Sequence, residues 1–398
     1  MSATDHRLRI GYIPLVDATA LIIAVDKNFT ADEGLNVDLV REVSWSNVRD
    51  KLNIGLFHAA HLLAPVAIAS SLGIGHVRVP IAAPFVLGVN GNAITLTAGL
   101  HRLLSDACEG DMADPLESAK ALARVVLKRK QQGRDPLTFG MTFPFSNHNY
   151  QLRFWMAAGG VDPDEDVRLV VLPPPYMVES LASGHVDGFC VGAPWNSVAV
   201  DAGIGRILHF GCEIQSRVTE KVFATRKSWA TEHPDVLAAL IRALAAAAAF
   251  AEAPENMAAV STAIAGRLGV TAELVARALT GNLKIASDGT VRTNDRYLMI
   301  GRNGAARPDP IQAAWIYAQI VRWGQAPLSE ESLALAQAVF RPDLYDAAVG
   351  GLPPLGPSEP GDGIGGFIGP AFDPADIAGH LASMRSRKLG KTRLWVVR

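Results

Sequence analysis

The nearest thing to a metal motif in this chain is His58-Ala59-Ala60-His61, two histidines three residues apart. That spacing chelates on a helix, but His58 falls on a predicted strand and no third ligand lies near in sequence, so no metal site is expected. Motifs of the form GxGxxG before a helix, GxxxxGK[ST], GxSxG and HExxH are absent, so neither a phosphate cradle nor a hydrolytic nucleophile is indicated. A binding protein without cofactor, rather than an enzyme, is expected. What remains is a set of four strand-to-helix junctions: Asp17-Ala18-Thr19, Ser44-Trp45-Ser46, Phe145-Ser146-Asn147-His148 and Gly192-Ala193-Pro194-Trp195-Asn196. Helix amino termini present free N–H groups and partial positive charge, which is anion-binding chemistry. Each junction alone has an ordinary explanation: Ser44 and Asn147 are plain caps, Trp45 a core residue, His148 a satisfied surface histidine. Their recurrence at one topological place is the signal.

The elements that would position these groups alternate. Strands are expected over Arg9 to Leu15, Asn36 to Val40 and Gly55 to Ala60, each followed by a helix, with Asp17 and Ser44 or Ser46 as caps. The rhythm returns with strands over Leu137 to Phe143, Val167 to Leu172 and His185 to Gly192. Such alternation implies parallel sheets with helical crossovers. Beyond residue 214 come one strand, Lys221 to Arg226, and helices near 235–252, 257–267, 271–279, 310–323 and 329–340. Residues 350–372 read as a Gly- and Pro-rich loop. The expected fold is α/β and two-lobed, of the periplasmic-binding-protein type II kind. Lobe I would hold 1–96 and 218–398, lobe II 97–217, with interlobe crossings near 94–100 and 212–222.

At 398 residues, 49% apolar and 19% charged, the chain can bury more than one core. A formal charge of −2 gives no global attraction to nucleic acid or to an anionic membrane, so neither is an expected partner. Asp5, His6, Arg7 and Arg9 interrupt the amino-terminal stretch, which shows no secretory pattern; a cytoplasmic protein is expected. The scattered Cys108, Cys190 and Cys212 agree with a reducing compartment. The alanine-rich stretch Leu237 to Ala251 is short for a membrane span and contains Arg242, so it reads as a helix of a folded interior.

Several ordered strings resemble the nitrate-binding proteins of ABC transporters, a family that includes bicarbonate-binding relatives. They are the run from Asp17 to Ala24, Ser44 to Asp50, Ala60 to Pro65, Asn90-Gly91-Asn92, Met141 to Pro144 with His148, Pro173 to Pro175 with Met177, and Phe189 to Asn196. The likeness covers roughly residues 8–330 and implies an anion pocket. Trp45 and Asn92 would line it from lobe I, His148 and the Gly192 backbone from lobe II, and Lys221 from near the second crossing. Asn92 departs from the pattern, since relatives commonly carry glutamine there.

Nitrate has only acceptor oxygens, so its site should consist of donors around a fixed cation. Lys221 would supply the charge, Trp45 its indole N–H, His148 an imidazole N–H. Bicarbonate would need an acceptor for its hydroxyl, and strand alternation turns Glu220 away from Lys221. The expected ligand is therefore nitrate or nitrite. With no export signal, the chain resembles the cytoplasmic nitrate/nitrite sensors that hold a response-regulator-type RNA-binding antiterminator until the anion binds. The alternatives are the solute-binding component of an ABC nitrate transporter and a thiamine-pyrimidine synthase on the same fold. The synthase would need a cysteine-rich iron motif.

Overall fold

The computed structural model describes residues 7–350 and 363–384. The carboxy-terminal stretch 373–398, whose basic residues read from the sequence as solvated charge with partner contact as the sharper alternative, lies outside the described residues from Arg385 onward. Within them the chain builds two sheets of the same design. The first contains β1 (Leu8–Tyr12), β2 (Val37–Arg41), β3 (Ala59–Leu63) and β4 (Ile81–Asn90). The second contains β5 (Asn92–Thr97), β6 (Thr138–Met141), β7 (Arg168–Val171), β8 (Gly188–Gly192) and β9 (Gly205–Phe210). The chain then returns to the first sheet with β10 (Thr219–Arg226). It adds a small ribbon, β11 (Asn282–Lys284) with β12 (Val291–Thr293), and an edge strand, β13 (Leu298–Met299).

The strand orders are β2-β1-β3-β10-β4-β13 and β7-β6-β8-β5-β9. In each sheet the first three strands run parallel, joined by helices. The fourth position is filled by a strand that arrives from the other sheet and pairs antiparallel. Because β5 and β10 are exchanged in this way, both begin at a passage between the sheets. The first passage is Gly91, earlier than the expected 94–100, and Asn92–Thr97 lies in the second sheet. The second runs through the short helix Gly211–Ile214 to Thr219, close to the expected 212–222. Asn90 fastens the two passages together. Its Nδ2 donates to the carbonyls of Arg296 (2.9 Å) and Ser216 (3.3 Å), and its Oδ1 accepts from the Val218 amide at 3.0 Å. Asn90 has φ of 63°, which asparagine tolerates better than most residues.

The central strands are buried, the outer β2 and β7 only partly, and two of the helices carry the caps expected of their sequences. Ser44 accepts from the Asn47 amide and opens the helix Trp45–Asn53; Ser146 accepts from the Asn149 amide and opens Asn147–Ala158. Asp17 is different. It sits in a 3-10 turn, Val16–Ala18, and makes no cap bond to the following helix Thr19–Asp26. Its side chain is free to turn inward. The alanine-rich helix, Pro234–Glu252, is long and apolar enough to cross a membrane. Leu237, Leu240, Ile241 and Leu244 are buried in one core cluster with Leu21 and Ile22, as expected of an interior helix.

Candidate functional site

The starts of the two exchanged strands meet the carboxyl ends of β1, β2 and β3, and polar side chains gather there out of contact with solvent. Lys221 is wholly buried and pairs with two carboxylates: its Nζ lies 2.9 Å from Asp17 Oδ2 and 2.8 Å from Glu220 Oε1. Asp17 Oδ1 in turn lies 3.0 Å from His61 Nε2. The Trp45 ring lies 5.3 Å from Lys221 Nζ and 5.4 Å, edge-on, from the His61 ring. From the second sheet, Asn92 Nδ2 donates to Glu220 Oε2 at 2.8 Å and to Gln151 Oε1 at 3.2 Å. His148 places Nδ1 2.9 Å from the Thr142 hydroxyl and Nε2 3.5 Å from Glu220 Oε1.

The adjacency of Glu220 and Lys221 overturns the expectation that the carboxylate faces away. Regular alternation would put consecutive side chains on opposite faces. Here the ladder between β10 and β4 slips: Thr219 pairs Val89, Lys221 pairs Gly88 and Val222 pairs Val86. Such a bulge re-aims side chains, and both Glu220 and Lys221 reach the same cluster. Glycines clear the space. A Cβ on Gly88 would stand 2.9 Å from Asp17 Cβ, and one on Gly192 would stand 3.4 Å from Asp17 Oδ2. Of the two, only the Gly88 position is too tight for a side chain; at Gly192 the contact would be an ordinary one.

Charge states follow from burial and pairing. Burial raises Asp17 and Glu220, but the Lys221 ammonium and the neighbouring imidazoles outweigh it and hold both carboxyls below the usual range. Burial likewise works against the ammonium, yet the two carboxylates keep Lys221 above the usual lysine value. Burial wins at the histidines: His61 is lowered and His148 is pushed down to about 4. At neutral pH the cluster thus holds two carboxylates, one ammonium and two neutral imidazoles, a net charge of −1 (+1 − 2).

Several buried polar atoms here have no hydrogen-bond partner: Trp45 Nε1, His148 Nε2, both nitrogens of His61, both oxygens of Asp17 and Asn92 Oδ1. The Asp17 contacts to Lys221 and His61 are close in distance but not aligned as hydrogen bonds. Unsatisfied buried groups are rare and costly in folded proteins, and seven such atoms gather in this one cluster.

All five residues implied by the resemblance, Trp45, Asn92, His148, Gly192 and Lys221, stand at or beside this cluster. Two of their expected roles change. Asn92 spends its amide N–H groups on Glu220 and Gln151, so its free atom is an acceptor. Lys221 is not a lone cation but one already paired twice. The all-donor cluster is replaced by a mixed one, with Asp17, read from the sequence as a helix cap, Glu220, read as facing away, and His61, to which the sequence assigns no binding role. Asp17 and His61 were within the strings that carried the resemblance; the bulge that brings in Glu220 left no local signal. His58, by contrast, points elsewhere: its Nδ1 accepts from the Arg9 amide at 2.9 Å and its ring lies 6.1 Å from that of Trp229. The His58–His61 pair does not converge. Among the described residues no group of three or more His, Cys, Asp or Glu side chains is arranged to hold a metal ion.

Residues 2–265 match the NMT1-like family. The nitrate/nitrite binding protein NrtA of Nostoc sp. is 30% identical over 96% of this chain and 86% of its own length. The nitrate import ATP-binding protein NrtC of Synechocystis sp. is 30% identical over 94% of this chain, and the bicarbonate transport ATP-binding protein CmpC of Synechococcus elongatus 31% over 86%. The chain spans only 54% and 49% of these two relatives. Among solved structures, the periplasmic nitrate-binding protein NrtA from Synechocystis PCC 6803 superposes with a TM-score of 0.85 at 27% identity, covering 95% of this chain and 98% of that one. A ligand-binding component of an ABC-type import system from Staphylococcus aureus shares the fold at 17% identity and a TM-score of 0.64. The fold is that of the two-lobed periplasmic-binding proteins. The chain belongs to the NMT1-like family, and among bilobed solute-binding proteins it groups with the nitrate/nitrite binding protein NrtA.

Proposed function

We propose that the chain is the binding component of an ABC-type importer, not a catalyst, and that it encloses nitrate or nitrite between its two sheets. The observation that carries this reading is the buried set of unpartnered donors, Trp45 Nε1 and His148 Nε2, close to the Lys221 ammonium. A planar monovalent oxyanion offers acceptors to all three. Hydrogen bonds to a charged guest contribute about 1.5–3 kcal/mol each, so three bring micromolar affinity within reach. The relatives that support it carry names of nitrate binding and nitrate import. For that reason transport is placed ahead of the cytoplasmic sensor that controls an RNA-binding antiterminator, a role and location that no observation here favours.

Bicarbonate is the second reading, and Glu220 favours it. Its carboxylate lies in the cluster, able to accept from a ligand hydroxyl, and one relative is named as a bicarbonate transport protein. Calorimetric titration with nitrate, nitrite, bicarbonate and sulfate tests both. Trp45→Phe removes one donor while keeping the ring, and should weaken nitrate binding about 10- to 150-fold with the melting temperature unchanged. Full affinity in that variant, or binding of bicarbonate alone, refutes the nitrate reading.

A further inference from the structure

The charge count of the cluster has a consequence for how an anion enters it. Two carboxylates and one ammonium already leave −1 among side chains that are at most 2% exposed. The other titratable groups facing them add no charge. His61 on β3 is lowered, and burial raises the Cys190 thiol on β8 and the Tyr297 hydroxyl beside β13. A monovalent anion would bring the total to −2. At an effective dielectric near 20, a like charge about 4 Å away costs on the order of several hundred-fold in affinity.

His148 is placed to relieve this. Its Nε2 has no hydrogen-bond partner and lies 3.5 Å from Glu220 Oε1. Its Nδ1 meets the Thr142 hydroxyl at 2.9 Å, and a hydroxyl can donate to a bare nitrogen or accept from a protonated one. The ring can therefore gain a second proton and keep both neighbours: Nδ1–H to Thr142, Nε2–H to Glu220 or to the guest.

Resting on the reading of the cluster as a monovalent oxyanion site, we propose that the pocket takes up its anion together with one proton from solvent. The proton settles on His148, and Glu220 is the residue that imposes the requirement. The only bond formed is the second imidazole N–H, its proton given up by hydronium or buffer acid in solvent; the bound state is imidazolium and anion side by side. In the free protein His148 titrates at about 4, and the guest raises it. Affinity is then flat below that pH and falls about tenfold per unit above it, until the complex itself releases the proton.

Calorimetry with nitrate at pH 6, 7 and 8, each in two buffers of different ionisation enthalpy, counts the protons. The same several-hundred-fold interaction raises His148 by about three units in the complex. The expected result is then nearly one proton bound per nitrate at pH 6 and about half at pH 7, with binding about fivefold weaker from pH 6 to 7 and about twofold weaker from pH 7 to 8. Glu220→Gln should take up almost none and bind with little pH dependence; a full proton still taken up by that variant overturns the role of Glu220. If the variant does not fold, the wild-type count decides. Nitrate heats that are equal in both buffers, with affinity constant from pH 6 to 8, overturn the proposal but leave the anion site standing. No heat from nitrate or nitrite at any pH removes both.

Discussion

Replacing Lys221 with methionine keeps most of the side-chain volume and removes the one cation that two buried carboxylates share. Its Nζ lies 2.9 Å from Asp17 and 2.8 Å from Glu220, with all three side chains at most 2% exposed. Breaking a buried ion pair by deleting one partner costs about 3–5 kcal/mol, because the remaining charge is left uncompensated. The cost depends on pH in a defined direction. In the parent protein both carboxyls lie below their ordinary values. They contribute stability that is complete above the ordinary carboxylate range and lost as pH falls through it. Without the ammonium, burial alone raises both, and they then lose stability as pH rises. The deficit of Lys221→Met is therefore largest at pH 8 and shrinks towards pH 5. Thermal and urea unfolding at the two pH values measure it, with a fall of roughly 6–20 °C expected at pH 8 for lobes of this size. A deficit below about 1 kcal/mol at pH 8, or equal deficits at pH 5 and 8, would refute the reasoning. A loss of nitrate binding in this variant must be read together with its melting temperature.

Gly192→Ala places a methyl 3.4 Å from Asp17 Oδ2 and 3.6 Å from Asn92 Oδ1. These are ordinary contacts, so calorimetry should show weaker anion binding with a melting temperature within about 2 °C of the parent. Asn90→Ala loses two hydrogen bonds between the passages and a third to the Arg296 carbonyl, and puts alanine at a φ of 63° that asparagine tolerates better; urea unfolding should show a loss of about 2–4 kcal/mol. Arg322 lies over the rings of Phe154 (4.6 Å) and Trp323 (4.7 Å), and burial lowers it to about 10. No carboxylate pairs with it among the described residues. Arg322→Met should therefore cost less than about 1 kcal/mol by the same assay, in contrast to Lys221.

Much of this arrangement is local and could be read from the residues. Ser44 and Ser146 precede helices and cap them, and the alternation of strand and helix announces the three parallel strands of each sheet, though not the antiparallel strands beside them. What could not be read is set by partners distant in the chain. Asn92–Thr97 belongs to the second sheet because β8 and β9 hold it on either side, and nothing within those residues records that. Glu220 joins Lys221 because β10 slips against β4, a property of the pair of strands rather than of either. Asp17 looked like a cap since aspartate before a helix usually is one. The 3-10 turn that starts at Val16, whose amide donates to the Ala193 carbonyl at 3.0 Å, sends it inward instead. The ordered strings of the resemblance contain stretches that meet in this cluster. They could not reveal that its one cation was already paired with two carboxylates.

A crystal structure grown in nitrate tests the central claim most directly. Flat trigonal density within hydrogen-bond distance of Trp45 Nε1, His148 Nε2 and Lys221 Nζ is the predicted result. Nitrate bound elsewhere, with the Asp17–Lys221–Glu220 contacts unchanged and no density beside Trp45, would contradict it.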